Sequence, residues 1–96
     1  MYRLPETAAA KQDPAALAPH AQSGGAVFHA SCAACHGAAG QGGAGAKLAG
    51  ISSRYTQAQT VSLIVDPRPG MPKLYPGALS AQDVADVAAY VRSLPP

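Results

Sequence analysis

The feature that most constrains this chain is the stretch FHASCAACHG, residues 28–37. It holds the only two cysteines, Cys32 and Cys35, three positions apart, and His36 follows at once. Composition explains why such a cluster matters for folding. Of 96 residues 48% are apolar, but much of that is alanine, with one Phe and no Trp. Alanine buries little area, so the core is thin. A domain of about 80 residues or fewer with such a core relies on a staple: a disulfide, a metal or a cofactor.

The charge pattern narrows the function classes. The formal net charge is +2 and charged residues make up 12%. That is too dilute for a nucleic-acid binder, whose Lys and Arg cluster. No apolar run reaches the roughly 18 residues of a membrane span, so this chain is not expected to insert into a membrane. MYRLPETAAAKQDP lacks the apolar centre of a secretory signal. Residues 1–22, with three prolines and many alanines, read as an Ala/Pro-rich tail or linker, and residues 23–96 as the domain.

A first helix fits Gly25 to Ala34, with Phe28, Cys32 and Cys35 on one face. Gly37 ends it, and the glycine-rich stretch GAAGQGGAGAKLAG follows. That loop is a poor phosphate cradle, because Lys47 precedes Leu48 rather than Ser or Thr and no strand leads in. TQAQTVSLIVD predicts a middle helix, capped by Thr56 with Gln59 reaching back, and ended before Pro67. PRPGMPKLYPGA, with four prolines, predicts a rigid non-helical loop. Ser80 and Asp83 cap the last helix, whose apolar stripe is Val84, Val87, Ala88, Val91 and Leu94. The fold class is all-α: three main helices joined by long loops.

C-x-x-C-H is the attachment signal for c-type haem. Two thiols on one helical turn can each add to a vinyl group on the haem edge. The residue behind them then lies under the ring, where its imidazole reaches the iron. Cys32 and Cys35 are thus candidate thioether residues, and His36 the candidate proximal ligand. Three other readings compete. A thioredoxin-like redox pair sits near a βαβ pattern, and no strands are predicted here. A structural zinc site needs four ligands, and the second cluster is missing. The cysteines could also be an unrelated structural pair. For the sixth iron position the candidate is Met71, the one methionine besides Met1. Pro69 and Pro72 bracket it and restrict its loop. Such a methionine otherwise serves as core filler. His29 shares the cysteines' helix and cannot cross to the far face; His20 falls in the expected tail.

With these pieces placed, the sequence resembles a class I c-type cytochrome, the small monohaem bacterial kind, over about residues 24–94. GGAVFHASCAACHG is similar to that family's N-terminal helix, LSAQDVADVAAYVRSL to its C-terminal helix, and GMP to its methionine-ligand loop. The resemblance implies the cytochrome c fold wrapped around one covalently bound haem c and its iron, with His36 and Met71 as axial ligands. It also implies that the two terminal helices cross at near right angles, with Gly25 against Tyr90 or its neighbours and Phe28 in the same cluster. Two departures stand out. Ala46 occupies the place where the family commonly has a proline whose carbonyl holds the proximal imidazole. The tryptophan found near the propionates in many members is missing, which leaves Arg54, Tyr55, Arg68 and Tyr75 as unranked candidates.

The functional expectation is electron transfer by a single haem with His/Met ligation, in a carrier that is not itself an enzyme. Leu48, Ile51, Ile64, Leu74 and Leu79 are expected to line the ring. Small residues around Ala33, Ala34 and Ala38 would let a redox partner approach, while Lys47 and Lys73 make only a weak steering field. The rival reading is an electron-relay haem domain or subunit of a larger oxidoreductase, an oxidase, reductase or dehydrogenase. Residues 1–22 motivate it as an interdomain linker or the end of a membrane tether. A third reading, catalysis or sensing at an open iron, requires Met71 off the metal. The resemblance implies a monomer or a domain of a larger protein, working in the periplasm or on the outer face of the cytoplasmic membrane.

Overall fold

The computed structural model describes residues 13–96. Its elements are a 3₁₀ turn Pro14–Ala16, helix α1 Ala21–Ser31, the short helix α2 Ala33–His36, a 3₁₀ turn Ile51–Ser53, helix α3 Gln57–Val65 and helix α4 Ala81–Ser93. Among the described residues there is no strand, so the all-α expectation of three main helices and long loops holds.

The caps of α3 and α4 follow the sequence closely. Thr56 accepts from the Gln59 N–H, and Gln59 reaches back to the Thr56 N–H. Ser80 and Asp83 make the same reciprocal pair. Each pair satisfies two N–H groups that the first helical turn would leave unpaired. Asp66, just ahead of Pro67, ends α3, as the clash between a proline ring and a helical preceding residue requires.

Helix α1 departs from expectation. It starts at Ala21, not Gly25, and stops at Ser31. Cys32, at φ −125° and ψ −34°, breaks the chain between α1 and α2. The early start has a tertiary cause. His20, the N-cap, makes no side-chain cap bond; its N–H instead donates to Oδ1 of the buried Asp86 on α4, at 2.9 Å. A carboxylate from another helix thereby takes the place of a local cap and suits the positive end of the helix dipole.

Within the stretch expected to be a tail, residues 1–22, the described part packs on the helices. Pro14 is buried, Ala15 packs on the core, and Gln82 donates to the Ala18 carbonyl at 2.9 Å. Residues 1–12 of that tail lie outside the described residues.

The α1/α4 crossing is the most extensive helix contact. Gly24 is buried at its centre, where a Cβ would lie 2.0 Å from the Asp86 carbonyl oxygen. Gly25 faces the Tyr90 ring, as expected, so that a Cβ there would lie 3.2 Å from its edge, and Phe28 stacks at a tilt on Tyr90 with centroids 5.4 Å apart. Phe28, Ile51, Val87 and Val91 form one core cluster; Val61, Leu79, Val84 and Ala88 form a second. Together they hold four valines, one isoleucine, one leucine, one alanine and a single large aromatic, Phe28. Burial of such side chains gives roughly 1.5–3 kcal/mol each at most, which fits a core completed by something outside the chain.

Candidate functional site

A cavity of about 550 Å³ opens between the cysteine motif and the proline-rich loop, in the range of small-molecule and cofactor sites. Cys32, Cys35 and His36 line one side; Arg68, Pro69, Gly70, Met71 and Pro72 line another. Leu48, Ile51, Arg54, Tyr55 and Leu74 complete the wall. A second, smaller and almost wholly apolar cavity of about 80 Å³ adjoins it, lined by Cys32, His36, Met71, Ile64, Val87 and Val91. Cys32, Cys35, His36, Leu48, Ile51, Arg54, Tyr55, Ile64, Met71 and Leu74 thus each border one or both of these adjoining spaces. Met71, remote in sequence from His36, borders both compartments together with it.

The motif's presentation follows from its local chain. Cys32 and Cys35 are free thiols. After the break at Cys32, α2 runs for one turn and ends at Gly37, whose φ of 88° only glycine adopts readily. The glycine-rich loop then curls back beneath the motif: the Gly42 N–H donates to the His36 carbonyl at 2.7 Å and the Gly45 N–H to the Cys35 carbonyl at 2.8 Å. This return brings the Ala46 carbonyl to His36, whose Nδ1–H donates to it at 2.7 Å. Nε2 is left as the free nitrogen, in the tautomer that can bind a metal. A proline is not required for this bond; the glycine loop delivers the carbonyl.

Burial pushes the Cys32 thiol up from its ordinary range, and the neighbouring Cys35 adds to the shift. This runs opposite to the lowered nucleophilic thiol of redox-active Cys-x-x-Cys pairs. Among the described residues no group of three or more His, Cys, Asp or Glu side chains is arranged to hold a metal ion. The donor set here is instead two thiols at the edge of a large apolar space, one imidazole nitrogen and one thioether. That set fits a covalently attached haem: thiols for the ring edge, nitrogen and sulfur for the iron.

Some expectations are corrected. Leu79 is buried in the second core cluster and does not line the cavity, and Tyr75 packs against that same cluster. Arg54, Tyr55 and Arg68 do border the cavity, so three of the four propionate candidates remain. Leu63, Val87 and Val91 also face the space but were not singled out as site residues. Leu63 lies on α3 one position from Ile64, and a helical wheel places both on adjoining faces. Lys73 does not border the cavity; its Nζ donates to the Val65 carbonyl at the end of α3, at 2.8 Å.

The fold and the site together define a c-type cytochrome. The comparisons make the class specific. A family model described as cytochrome c oxidase, cbb3-type, subunit III matches residues 19–91, and the chain belongs to this family of cytochrome c domains. A cytochrome c-553-like protein of Synechocystis sp. is 36% identical over 80 residues, which cover 82% of this chain and 73% of that protein. Cytochrome c6 from the diatom Phaeodactylum tricornutum shares 32% identity at a TM-score of 0.65, with 76% of this chain and 91% of that one covered. The dihydro-haem d1 dehydrogenase NirN shares 34% identity at a TM-score of 0.65 over 77% of this chain. The match spans only 16% of NirN. The chain is a cytochrome c-type electron carrier of a kind found both as a small protein and as a domain of larger oxidoreductases. The family implies covalently bound haem c with its iron. Among the described residues no helix is long and apolar enough to cross a membrane.

Proposed function

We propose that this chain carries electrons one at a time between redox proteins outside the cytoplasm, through one haem held by Cys32 and Cys35 and ligated by His36 and Met71. The observation that supports this most is that His36 and Met71 border the same two compartments from opposite stretches of the chain. The haem supplies one-electron chemistry between the ferric and ferrous states of its iron.

The chain's own residues do the rest. Cys32 and Cys35 fix the ring edge to the α1–α2 break. The Ala46 carbonyl orients His36 and raises the basicity of its free nitrogen, as partners behind metal-bound imidazoles do. Pro69 and Pro72 restrict the loop that presents Met71, so little backbone rearrangement accompanies a change of charge. Leu48, Ile51, Leu63, Ile64 and Leu74 exclude water. Arg54, Tyr55 and Arg68, on the rim, would face the propionates. Ala34, Ala38 and Cys35 are exposed near the motif, so a partner could approach the thioether edge closely. On this reading the carrier domain begins at the turn near Asp13.

A relay role inside a larger oxidoreductase is the second reading, favoured by the family description and by the small share of NirN that the match spans. Carbon monoxide binding to the ferrous protein at neutral pH tests the closed site common to both. Slow, incomplete binding is expected with Met71 on the iron; fast and complete binding would mean an open site and would favour catalysis or sensing.

A further inference from the structure

The cavity wall carrying Ile51, Arg54 and Tyr55 belongs to a short segment, residues 50–55, with a single 3₁₀ turn of its own. Both its ends are fastened to the C-terminal end of α4, one to its last turn and one to its cap residue Leu94. At one end the Gly50 N–H donates to the Leu94 carbonyl at 3.3 Å. There the backbone lies so close to the chain terminus that a Cβ on Gly50 would stand 3.2 Å from Pro96. At the other end the Arg92 Nε–H donates to the Tyr55 carbonyl at 3.1 Å. Between the fastenings Ile51 is buried on Val87 and Val91. The Arg54 guanidinium stands 5.9 Å from the Tyr55 ring centre, which couples the two rim side chains. Arg92 itself does not border the cavity.

We infer that Arg92 is a positioning residue: through the Tyr55 carbonyl it sets where Arg54 and Tyr55 stand against the bound haem, and thereby the reduction potential. The inference rests on the haem reading above. The geometry makes Arg92 the only side chain on the last turn of α4 that grips this end of the wall among the described hydrogen bonds; the next tie, Gln57 Nε2–H to the Ala85 carbonyl at 3.0 Å, lies beyond it in α3. Releasing this end would let water reach the rim and separate Arg54 from the negative charge it faces. Both changes favour the ferric state.

The test is a double-variant cycle on the haem-loaded protein, with the reduction potential as readout: R92M, which keeps the length of the side chain but removes its donors, R54Q, and the two combined. R92M is expected to lower the potential, and its shift is expected to shrink to less than half in the R54Q background. An unchanged potential in R92M would overturn the inference. So would a shift equal in both backgrounds, because a charge acting through space adds regardless of Arg54. If R92M yields no haem-loaded protein, the cycle is run with R92K, which keeps the charge. A lowered potential that disappears in the R54Q background then supports the inference, and an unchanged one overturns it. Failure of the underlying haem reading would show itself differently, as the absence of covalent haem in the unaltered protein.

Discussion

His36 Nδ1 and the carbonyl of Ala46 lie 2.7 Å apart, ten residues distant in sequence and joined by a loop that is mostly glycine and alanine. The loop is compact because it turns back on the motif through its own backbone hydrogen bonds. Gly45 is the point where that return presses on the imidazole. A Cβ there would stand 2.8 Å from His36 Cε1 and 2.9 Å from Nδ1. The imidazole has little freedom to yield, since the Ala46 bond holds it. G45A is therefore expected to break the His36–Ala46 bond and destabilise the protein by about 1–3 kcal/mol. Thermal unfolding of the haem-loaded variant, read together with the appearance of high-spin ferric iron, checks this.

The two glycines of α1 should respond differently. A Cβ at Gly24 would meet the Asp86 carbonyl oxygen at 2.0 Å and its carbon at 2.5 Å, both backbone atoms that cannot step aside. G24A must force α1 and α4 apart, at a cost of about 3 kcal/mol, the upper end of overpacking. At Gly25 the neighbour is the Tyr90 ring edge at 3.2 Å, which can tilt. There alanine gains roughly 0.5–1 kcal/mol of helix propensity against a small steric cost. G25A is expected to fall within about 1 kcal/mol of the parent. Urea unfolding of the two variants side by side distinguishes them.

M71A should leave the haem covalently attached while lowering the reduction potential and opening the iron to carbon monoxide, because thioether ligation raises the potential of a His-ligated haem. Potentiometric titration checks the first effect and ferrous carbon monoxide titration the second. An unmoved potential would mean that Met71 only fills space.

C32A combined with C35A should abolish covalent attachment and, with it, folding. The core clusters hold one large aromatic between them, and a core this small does not offset chain entropy without a staple. Circular dichroism of the purified double variant is the check: a well-folded, haem-free chain would show that the core stands alone.

Much of this architecture was legible from local chemistry. The capping boxes of α3 and α4 and the stop at Gly37 each depend on residues close in sequence, while the pairing of Gly25 with Tyr90 came from the family resemblance. The motif also identified Cys32, Cys35 and His36, which do come to one cavity with Met71. What escaped the sequence depends on long-range partners. The start of α1 lies four residues before the Gly25 that the sequence suggests because its cap is the Asp86 carboxylate from α4, and nothing near His20 announces that. Residues 13–20 read as linker from their prolines, yet Pro14 is buried and Ala15 packs on the second core cluster. Leu79 and Tyr75 carry the right chemistry for a haem pocket, but the loop after Pro72 turns them toward Val84 and Ala88. The grip of Arg92 on Tyr55 is invisible in sequence, since its acceptor is a backbone carbonyl that any residue would offer.

The most direct test of the central claim is the absorption spectrum of the purified protein, ferric and ferrous, after expression with haem-maturation machinery. A six-coordinate carrier ligated by His36 and Met71 predicts sharp ferrous α and β bands together with the weak far-red band of ferric iron bound to methionine sulfur. Covalent haem without the far-red band would contradict the assignment of Met71, and a protein that acquires no haem would contradict the account as a whole.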